Sequence, residues 1–519
     1  MNSLECLTRP LSAVSPSLEA FGALAGQYSL AMVTAETASD LETPVSAFMK
    51  LKESGPCFLL ESAESDKMWG RYSFLGFEPI TLARLEGGRL IVSSGEAERV
   101  VDGDPVLGLF ELVEGPAVFI PIEGVPFLGG AVGYFGYGVL EHLEKVHLSK
   151  NEAVPEMMFM VPGRLAIFDH LRSRIILCAI ARVPEQRDAC RAEYEHAIDK
   201  IDGMVASLEA PLPHGRGIPL GLPRSVDGQK EADSSAAADD FDRFESNVTR
   251  EKFEEMVDKA REYILAGDAF QVVVSQRFKT AYTGDPLSVY RVLRSENPSP
   301  YMFYLELPGL HLVGSSPEPL VTNRVGKAVI RPIAGTRPRG SDGPEDERLA
   351  KELLEDPKEK AEHIMLVDLA RNDLGRVCRP GTVKVTRLMQ VEKYSHVMHL
   401  VSEVEGHLKE GYGNYDLLKA AFPAGTVSGA PKVRACEIIE ELEGEGRGPY
   451  AGAIGYLSYS GDMDTCITIR TVLIHEGVAS VQAGAGIVAD SIAGEEWMET
   501  RNKALALIRA VRIAGEADR

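Results

Sequence analysis

The chain has 519 residues and a formal net charge of −22, from 55 Lys plus Arg against 77 Asp plus Glu. That length exceeds the roughly 250–300 residues at which one hydrophobic core stops growing, so more than one lobe is expected. The charge repels phosphate backbones and anionic lipid headgroups, which argues against nucleic-acid or membrane-surface binding; an anionic ligand must be held locally by Arg, Lys, backbone N–H groups or a divalent cation. Seven cysteines (Cys6, Cys57, Cys178, Cys190, Cys378, Cys436, Cys466) are scattered and never spaced C-x-x-C. Neither a disulfide framework nor a zinc cage is expected from them, and the compartment reads as reducing. No basic flank precedes an apolar run at the start, and no stretch of about 18 apolar residues occurs, so a signal peptide and a membrane span are not expected and the cytoplasm is the default.

In chain order, short alternating runs at 57–61, 90–94 and 174–180 predict strands, and residues 185–208 carry a helical pattern. The run GGAVGYFGYG at 129–138 is echoed by AGAIGYLSYSG at 451–461. Its glycines allow close approach of backbones or a ligand, or are turns built twice by chance. Pro, Gly, Ser, Ala and acidic residues replace periodic apolar positions at 207–242, which reads as a linker between an N-terminal lobe, 1–206, and a C-terminal domain, 243–519. Residues 249–266 place Phe253, Met256, Val257, Ala260, Tyr263 and Ile264 on one helical face and stop at Gly267, and 270–278 reads as a strand.

The segment DPKEKAEHIMLVDLARND offers Asp356 as an N-cap, Pro357 at the first helical position and Glu359 as a capping-box arm. Glu359, Glu362, Leu366 and Leu369 share one face of that helix, so Glu362 needs a partner to offset the cost of burying its charge. A later helix repeats the device with Glu496 and Glu499 one turn apart and Lys503 a turn further. Two such helices face to face would make a carboxylate cage for a hard cation; two solvated acidic first turns are the alternative. Between them PAGTVSGAPK, 423–432, is a small-residue loop feeding a helix whose amides and Lys432 could receive a carboxylate; its glycine-to-lysine spacing is not that of a Walker A loop. Gly484, Gly486 and Ala489 fit a G-x-G-x-x-A pattern only formally, and a tight turn is the ordinary reading. Arg470 sits in a strand-like run and implies a salt bridge or a ligand carboxylate. His396 and His399 fall on opposite faces of an alternating run, which argues against a two-histidine metal site and leaves acid/base work or a satisfied core histidine.

Taken in order, PIAGTRPRG (332–340), DPKEKAEHIMLVDLARND (356–373), PAGTVSGAPK, YAGAIGY (450–456), AGAGIVADS (483–491) and E-x-x-E-T (496–500) resemble the chorismate-utilising enzyme family, most closely its anthranilate-forming large subunits. The resemblance spans nearly the whole chain, with LLES (59–62) and GGAVGYFGYG resembling the family's regulatory lobe. It implies an α+β fold of four layers, α/β/β/α, with two orthogonally packed antiparallel sheets and the active site between them. It implies Mg2+ on Glu362 and Glu499, with Glu359 and Glu496 acting through waters, under one carboxylate of chorismate. The other carboxylate would meet Tyr450, Arg470, the amides of Gly484, Ala485 and Gly486, and Lys503, while Gly335, Thr336 and Thr426 line the ring. Glu318 would protonate the departing hydroxyl and His399 would help eliminate pyruvate.

Two positions bear on the nucleophile. Gln271 stands where the water-activating relatives carry a Lys base, and Ala334 stands where aminodeoxychorismate-forming relatives usually carry Lys, so ammonia addition ortho to the ring carboxylate is implied. No glutaminase signature occurs, so ammonia is expected from a separate glutamine amidotransferase subunit. The intact LLES serine and the N-P-S-P-Y-M run imply a tryptophan effector site at Ser62, Pro300, Tyr301 and Met302, against strand and turn roles for the same residues. Competing expectations are an aminodeoxychorismate-forming enzyme and a non-catalytic aromatic amino acid sensor.

Overall fold

A computed structural model describes residues 14–62, 70–150, 153–213, 240–394 and 397–517 of this protein. The strands expected in the N-terminal half are Cys57–Glu61, Arg89–Ser94 and Arg174–Arg182. The helix expected from 185 begins only at Cys190, after a 3-10 turn at Arg187–Ala189, and extends to Glu209. It therefore runs into the expected linker, whose residues 214–239 lie outside those described; Asp240 beyond them accepts from Arg509 and Arg512 Nε at 2.7 and 2.9 Å.

The helix Arg250–Ala266 shows how local chemistry sets its bounds. Thr249 Oγ1 accepts from the Lys252 amide at 3.2 Å, and Gly267 closes the helix at φ +88°. Phe253, Met256, Val257 and Ala260 are buried, each aliphatic or aromatic side chain contributing roughly 1.5–3 kcal/mol, while Tyr263 and Ile264 are partly buried.

The strand Gln271–Ala281 pairs antiparallel with Val478–Ile487 from Val272 onward, while Gln271 lies opposite Ala430. Gln276 Nε2 donates to Thr500 Oγ1 at 2.6 Å on the helix Ala493–Ala517, and Val272 and Val274 pack with the helices Arg250–Ala266 and Lys432–Glu443, so helices cover the even-numbered face. Gln271, Val273, Ser275, Arg277 and Lys279 occupy the other face, which carries the site described below. Gly484 and Gly486 lie inside the Val478–Ile487 strand rather than in the tight turn their pattern suggested, because the ladder to Gln271–Ala281 continues through Ile487.

Strands from the two halves of the sequence join directly. Cys57–Glu61 pairs antiparallel with Tyr301–Leu307, with Glu61 opposite Met302. The echoed glycine runs pair with each other, as Gly130–Phe135 against Ala453–Ser458 with Gly133 opposite Gly455. A Cβ on Gly133 would lie 2.0 Å from the Met158 carbonyl oxygen, and one on Gly455 2.0 Å from that of Asp464, so close backbone approach explains both glycines. The architecture is a mixture of helices and predominantly antiparallel sheet.

Candidate active site

A β-bulge builds one wall. The strand Ile333–Pro338 pairs with Val397–His407, and its register shifts between Ala334 and Thr336, with Gly335 at φ +65°. The bulge points the Gly335 carbonyl at His399 Nδ1, 2.9 Å away, with Thr336 Oγ1 at 3.1 Å from the same nitrogen. A carbonyl only accepts, so Nδ1 carries the hydrogen and Nε2 the lone pair. Burial lowers the His399 pKa and favours neutral imidazole. His396 lies outside the described residues.

The helix Pro357–Val377 is capped by Asp356, whose Oδ1 accepts from the Lys358 and Glu359 amides at 2.9 and 3.2 Å. Glu359 does not act as the expected capping arm. Arg337, leaving the bulged strand, lies across this first turn and donates to Glu359 Oε1 at 3.0 Å and Asp356 Oδ2 at 2.8 Å. One turn on, Glu362 is half-buried, and its stripe continues through buried Leu366 to Leu369, which packs so closely on Gly425 that a Cβ there would lie 2.2 Å from it.

The helix Ala493–Ala517 supplies Glu496 and Glu499. Glu499 is exposed and takes Lys503 Nζ at 2.6 Å, while Lys503 also donates to the Gly484 carbonyl at 3.0 Å. Burial and then the charges of Glu359 and Glu499 raise the Glu362 pKa, and burial and Glu499 do the same to Glu496, with only Lys358 and Lys503 opposing among charged groups. The carboxylates of the two helices thus converge with too little positive charge among them, a donor set suited to a hard cation that keeps several waters. Among the described residues, no three or more His, Cys, Asp or Glu form a closed metal cage.

Opposite these helices, Glu318 is fixed through its carbonyl by the Ile467 amide at 2.9 Å. Burial raises its pKa; Thr426, Lys503 and Arg470 hold it back, and Glu362 adds to the rise. The adjacent Thr426 hydroxyl is buried without a well-formed hydrogen bond, and both residues line a small cavity of about 50 Å³. Arg470 is not inside a strand. It sits at φ +50° in the break between Met463–Ile467 and Thr471–His475, where its carbonyl accepts from the Ser315 amide at 3.0 Å. Burial lowers its pKa against the pull of Glu318, Tyr450 and Glu499, and it has no ion pair within 4 Å among the described residues.

The same break frees an edge of the neighbouring strand. Thr471–His475 pairs with Val478–Ile487 only as far as Val472 opposite Val481, leaving Ala483 to Ile487 without a strand partner on that side among the described residues. Gly484 and Gly486 make room over this face of the strand, since a Cβ on Gly484 would lie 2.7 Å from Tyr450 Oη and one on Gly486 2.5 Å from Gln271 Nε2. Ala485 directs its side chain into the core and contributes only backbone. Gln271 Oε1 is buried without a partner among the described residues. Lys432, expected to receive a ligand, is instead consumed by Asp373 Oδ2 at 3.1 Å and by the Ala420 and Ala421 carbonyls, which close the helix it starts onto the neighbouring ones.

Arg447 is the residue missed by the sequence reading. Fully buried, it donates to the Val427 and Val273 carbonyls, each at 2.7 Å, pairs with Glu443 at 2.7 Å and lies 5.6 Å from the Tyr450 ring centroid. No local signal marks it, since Gly444 at φ +64° ends the helix at Glu443 and the pairing with Arg447 is made across that turn.

Away from this site, Ser62, Pro300, Tyr301 and Met302 line one cavity of about 80 Å³ beside the junction of the Cys57–Glu61 and Tyr301–Leu307 strands. Tyr301 Oη donates to Asp464 Oδ1 at 3.0 Å in its wall.

The raised pKa of Glu318 has a signature in stability. Its raised pKa means the folded chain holds this proton to higher pH than the unfolded chain, so Glu318 lowers stability as pH rises through the folded value. Glu318→Gln is expected to match wild-type stability near about pH 4 and exceed it increasingly towards about pH 8. Urea unfolding across that range checks it; a parallel pH dependence of the two proteins would refute the raised pKa.

Residues 64–509 match the family described as chorismate binding enzyme. The chain is 44% identical to anthranilate synthase component 1 of Acetivibrio thermocellus over 513 residues, 96% of this chain and 99% of that one. Identity to anthranilate synthase component 1 of Thermus thermophilus is 46% over 479 residues, covering 92% and 96%. The crystal structure of anthranilate synthase component I from Streptococcus pneumoniae is similar at a TM-score of 0.72 with 37% identity, covering 91% of this chain and 98% of that one. The menaquinone-specific isochorismate synthase of Escherichia coli, 18% identical with a TM-score of 0.68 over 95% and 98% of the two chains, shares the fold.

Proposed function

The chain belongs to the chorismate-binding enzyme family, in its anthranilate synthase component 1 branch, and on that premise we propose that it converts chorismate and ammonia to anthranilate, pyruvate and water. The observation that carries the reading is the convergence of Glu362, Glu496 and Glu499 opposite a half-buried Arg470 that has no ion pair among the described residues, a cation site facing an anion site as a dianion requires. Glu362 and Glu499 would hold Mg2+, with Glu359 and Glu496 reaching it through waters. Bound there, Mg2+ supplies positive charge for one substrate carboxylate.

Arg470, Tyr450, Lys503 and those backbone amides among Gly484, Ala485 and Gly486 that face the free edge receive the other carboxylate, and Gly335, Thr336 and Thr426 flank the ring. Protonated Glu318 gives its proton to the departing ring hydroxyl as ammonia forms the new C–N bond ortho to the carboxylate. Neutral His399, with its lone pair on Nε2, then takes the proton from that ring carbon as the enolpyruvyl group leaves and the ring becomes aromatic. Gln271 cannot serve as a base for water, since a carboxamide has no usable basicity. Ammonia comes from a glutamine amidotransferase subunit, component II.

We read residues 1–206 as a regulatory lobe and 243–519 as the catalytic domain, joined through 207–242, and the packing as two orthogonal sheets with helices outside. Support for the last point comes from the helices over the even-numbered face of Gln271–Ala281 while its other face carries the site. The cavity at Ser62, Pro300, Tyr301 and Met302 takes L-tryptophan as inhibitor. Ser62→Ala is expected to raise the half-inhibitory tryptophan concentration by about tenfold with the initial rate within about twofold of wild type; undiminished sensitivity places the effector elsewhere.

Incubating the purified chain with chorismate, Mg2+ and an ammonium salt tests the main reading. Fluorescent anthranilate with equimolar pyruvate is the expected result. An amino product that keeps the enolpyruvyl group, or tryptophan binding without turnover, would replace it.

A further inference from the structure

A second cavity, of about 280 Å³, lies on the same face of the sheet as the active site, further along the strands towards Lys279 and His475. That volume is near the lower end of the roughly 300–1,000 Å³ usual for small-molecule pockets. Tyr450 and Thr468 stand at its inner end, so the active site and this cavity share the Tyr450 wall. The Thr468 hydroxyl is fully buried and has no hydrogen-bond partner among the described residues, an unmet polar group at the cavity's inner end.

The charge balance of the lining is opposite to that of the chain. Arg277 and Lys279 project from alternate positions of one strand. Arg277 is half-buried, committed through Nε to Gln482 Oε1 at 3.2 Å and through Nη2 to the Gly446 carbonyl at 2.8 Å, with its closest carboxylate, Glu445, at 3.8 Å. Lys279 has no ion pair or hydrogen bond of its side chain among the described residues. Arg447 is neutralised by Glu443, and Glu476, the one carboxylate of the lining, is 84% exposed at the rim. The remaining walls combine apolar Leu312, Leu473, Val478 and Pro449 with the uncharged polar Thr471, Ser480 and Gln482 and with His475.

We infer that this cavity is a second ligand site, for an aromatic monocarboxylate whose anion meets Arg277 and Lys279 and whose ring lies between Leu312, Leu473 and Pro449. Its free positive charge is confined to one strand, so the second charge of a dicarboxylate would be desolvated with no cation to meet it. A short aliphatic acid would leave the apolar walls unfilled. The natural occupant rests on the proposed reaction, whose product anthranilate belongs to this class and would pass Tyr450 to reach the cavity. Occupancy there makes the product an inhibitor that need not displace chorismate.

The test uses the full chain and Lys279→Glu, a charge reversal at an exposed strand position outside the catalytic groups. Benzoate and anthranilate binding are measured by calorimetry, and anthranilate inhibition by initial rates. Lys279→Glu is expected to weaken both ligands about tenfold or more and to relieve anthranilate inhibition while leaving the initial rate unchanged. Equal affinity in the two proteins, no binding to wild type, or inhibition purely competitive with chorismate overturns the assignment. If chorismate yields no anthranilate but benzoate binding still falls in Lys279→Glu, the reading of the reaction fails and the site stands. If anthranilate is made and benzoate binds both proteins alike, only the site fails.

Discussion

Glu362→Gln is expected to lower kcat/KM for chorismate by about 10³-fold or more, with far-ultraviolet circular dichroism and the unfolding midpoint held at or above the wild-type values. The substitution keeps shape and removes charge. In the substrate-free chain that charge is repelled by Glu359 and Glu499, and only the weaker pull of Lys358 and Lys503 opposes them, so no favourable ion pair is lost with it. A carboxamide oxygen is a far weaker ligand for Mg2+ than a carboxylate, and the substrate carboxylate loses the positive charge that would face it. The pair of readouts separates cation binding from scaffolding. Lost turnover with an intact midpoint and a Mg2+ requirement shifted to higher concentration agrees with the assignment. Turnover within about twofold of wild type at ordinary Mg2+ would remove Glu362 from the site, whatever happened to stability.

What the sequence made legible was what depends on neighbours along the chain. Asp356 caps its helix, Thr249 caps another, Gly267 ends it, and the Glu362 to Leu369 stripe is half-buried as its spacing required, because caps and faces are settled within one or two turns. The glycine echo left close backbone approach and chance turns both open, and did not reveal that the two copies approach each other. Errors arose where a distant residue intervened. Arg337 takes Glu359 from its capping role, Asp373 and two carbonyls consume Lys432, and the break at Arg470 is set by the Ser315 amide of another strand. The G-x-G-x-x-A pattern misled because glycines needed for clearance beside Tyr450 and Gln271 look, in sequence, like glycines needed for a turn. The ordered motifs pointed to the site residues; what positions them is tertiary and was not legible.

Arg447→Met is expected to destabilise the protein by about 3–5 kcal/mol and to reduce turnover in whatever fraction remains folded. The guanidinium is almost wholly inaccessible and spends its donors on Glu443 and on the carbonyls of Val427 and Val273, so the substitution strands one buried carboxylate and two buried acceptors. Those carbonyls belong to the loop next to Thr426 and the strand that carries Gln271, and the guanidinium lies against Tyr450, so one side chain ties three walls of the site together. Glu443→Gln in the Arg447→Met background tests that role. The carboxamide would keep an acceptor for the Ser275 amide, which Glu443 Oε1 receives at 2.8 Å, and would remove the stranded charge. Stability should therefore recover by roughly 2 kcal/mol, while kcat stays depressed about tenfold or more because the Val427 and Val273 tethers are still missing. If the double variant regained both stability and kcat, burial of charge would explain everything and Arg447 would not position the site. Recovery of the midpoint alone, with KM for chorismate raised and kcat low, fits a residue that acts by holding Tyr450 and Thr426 in place.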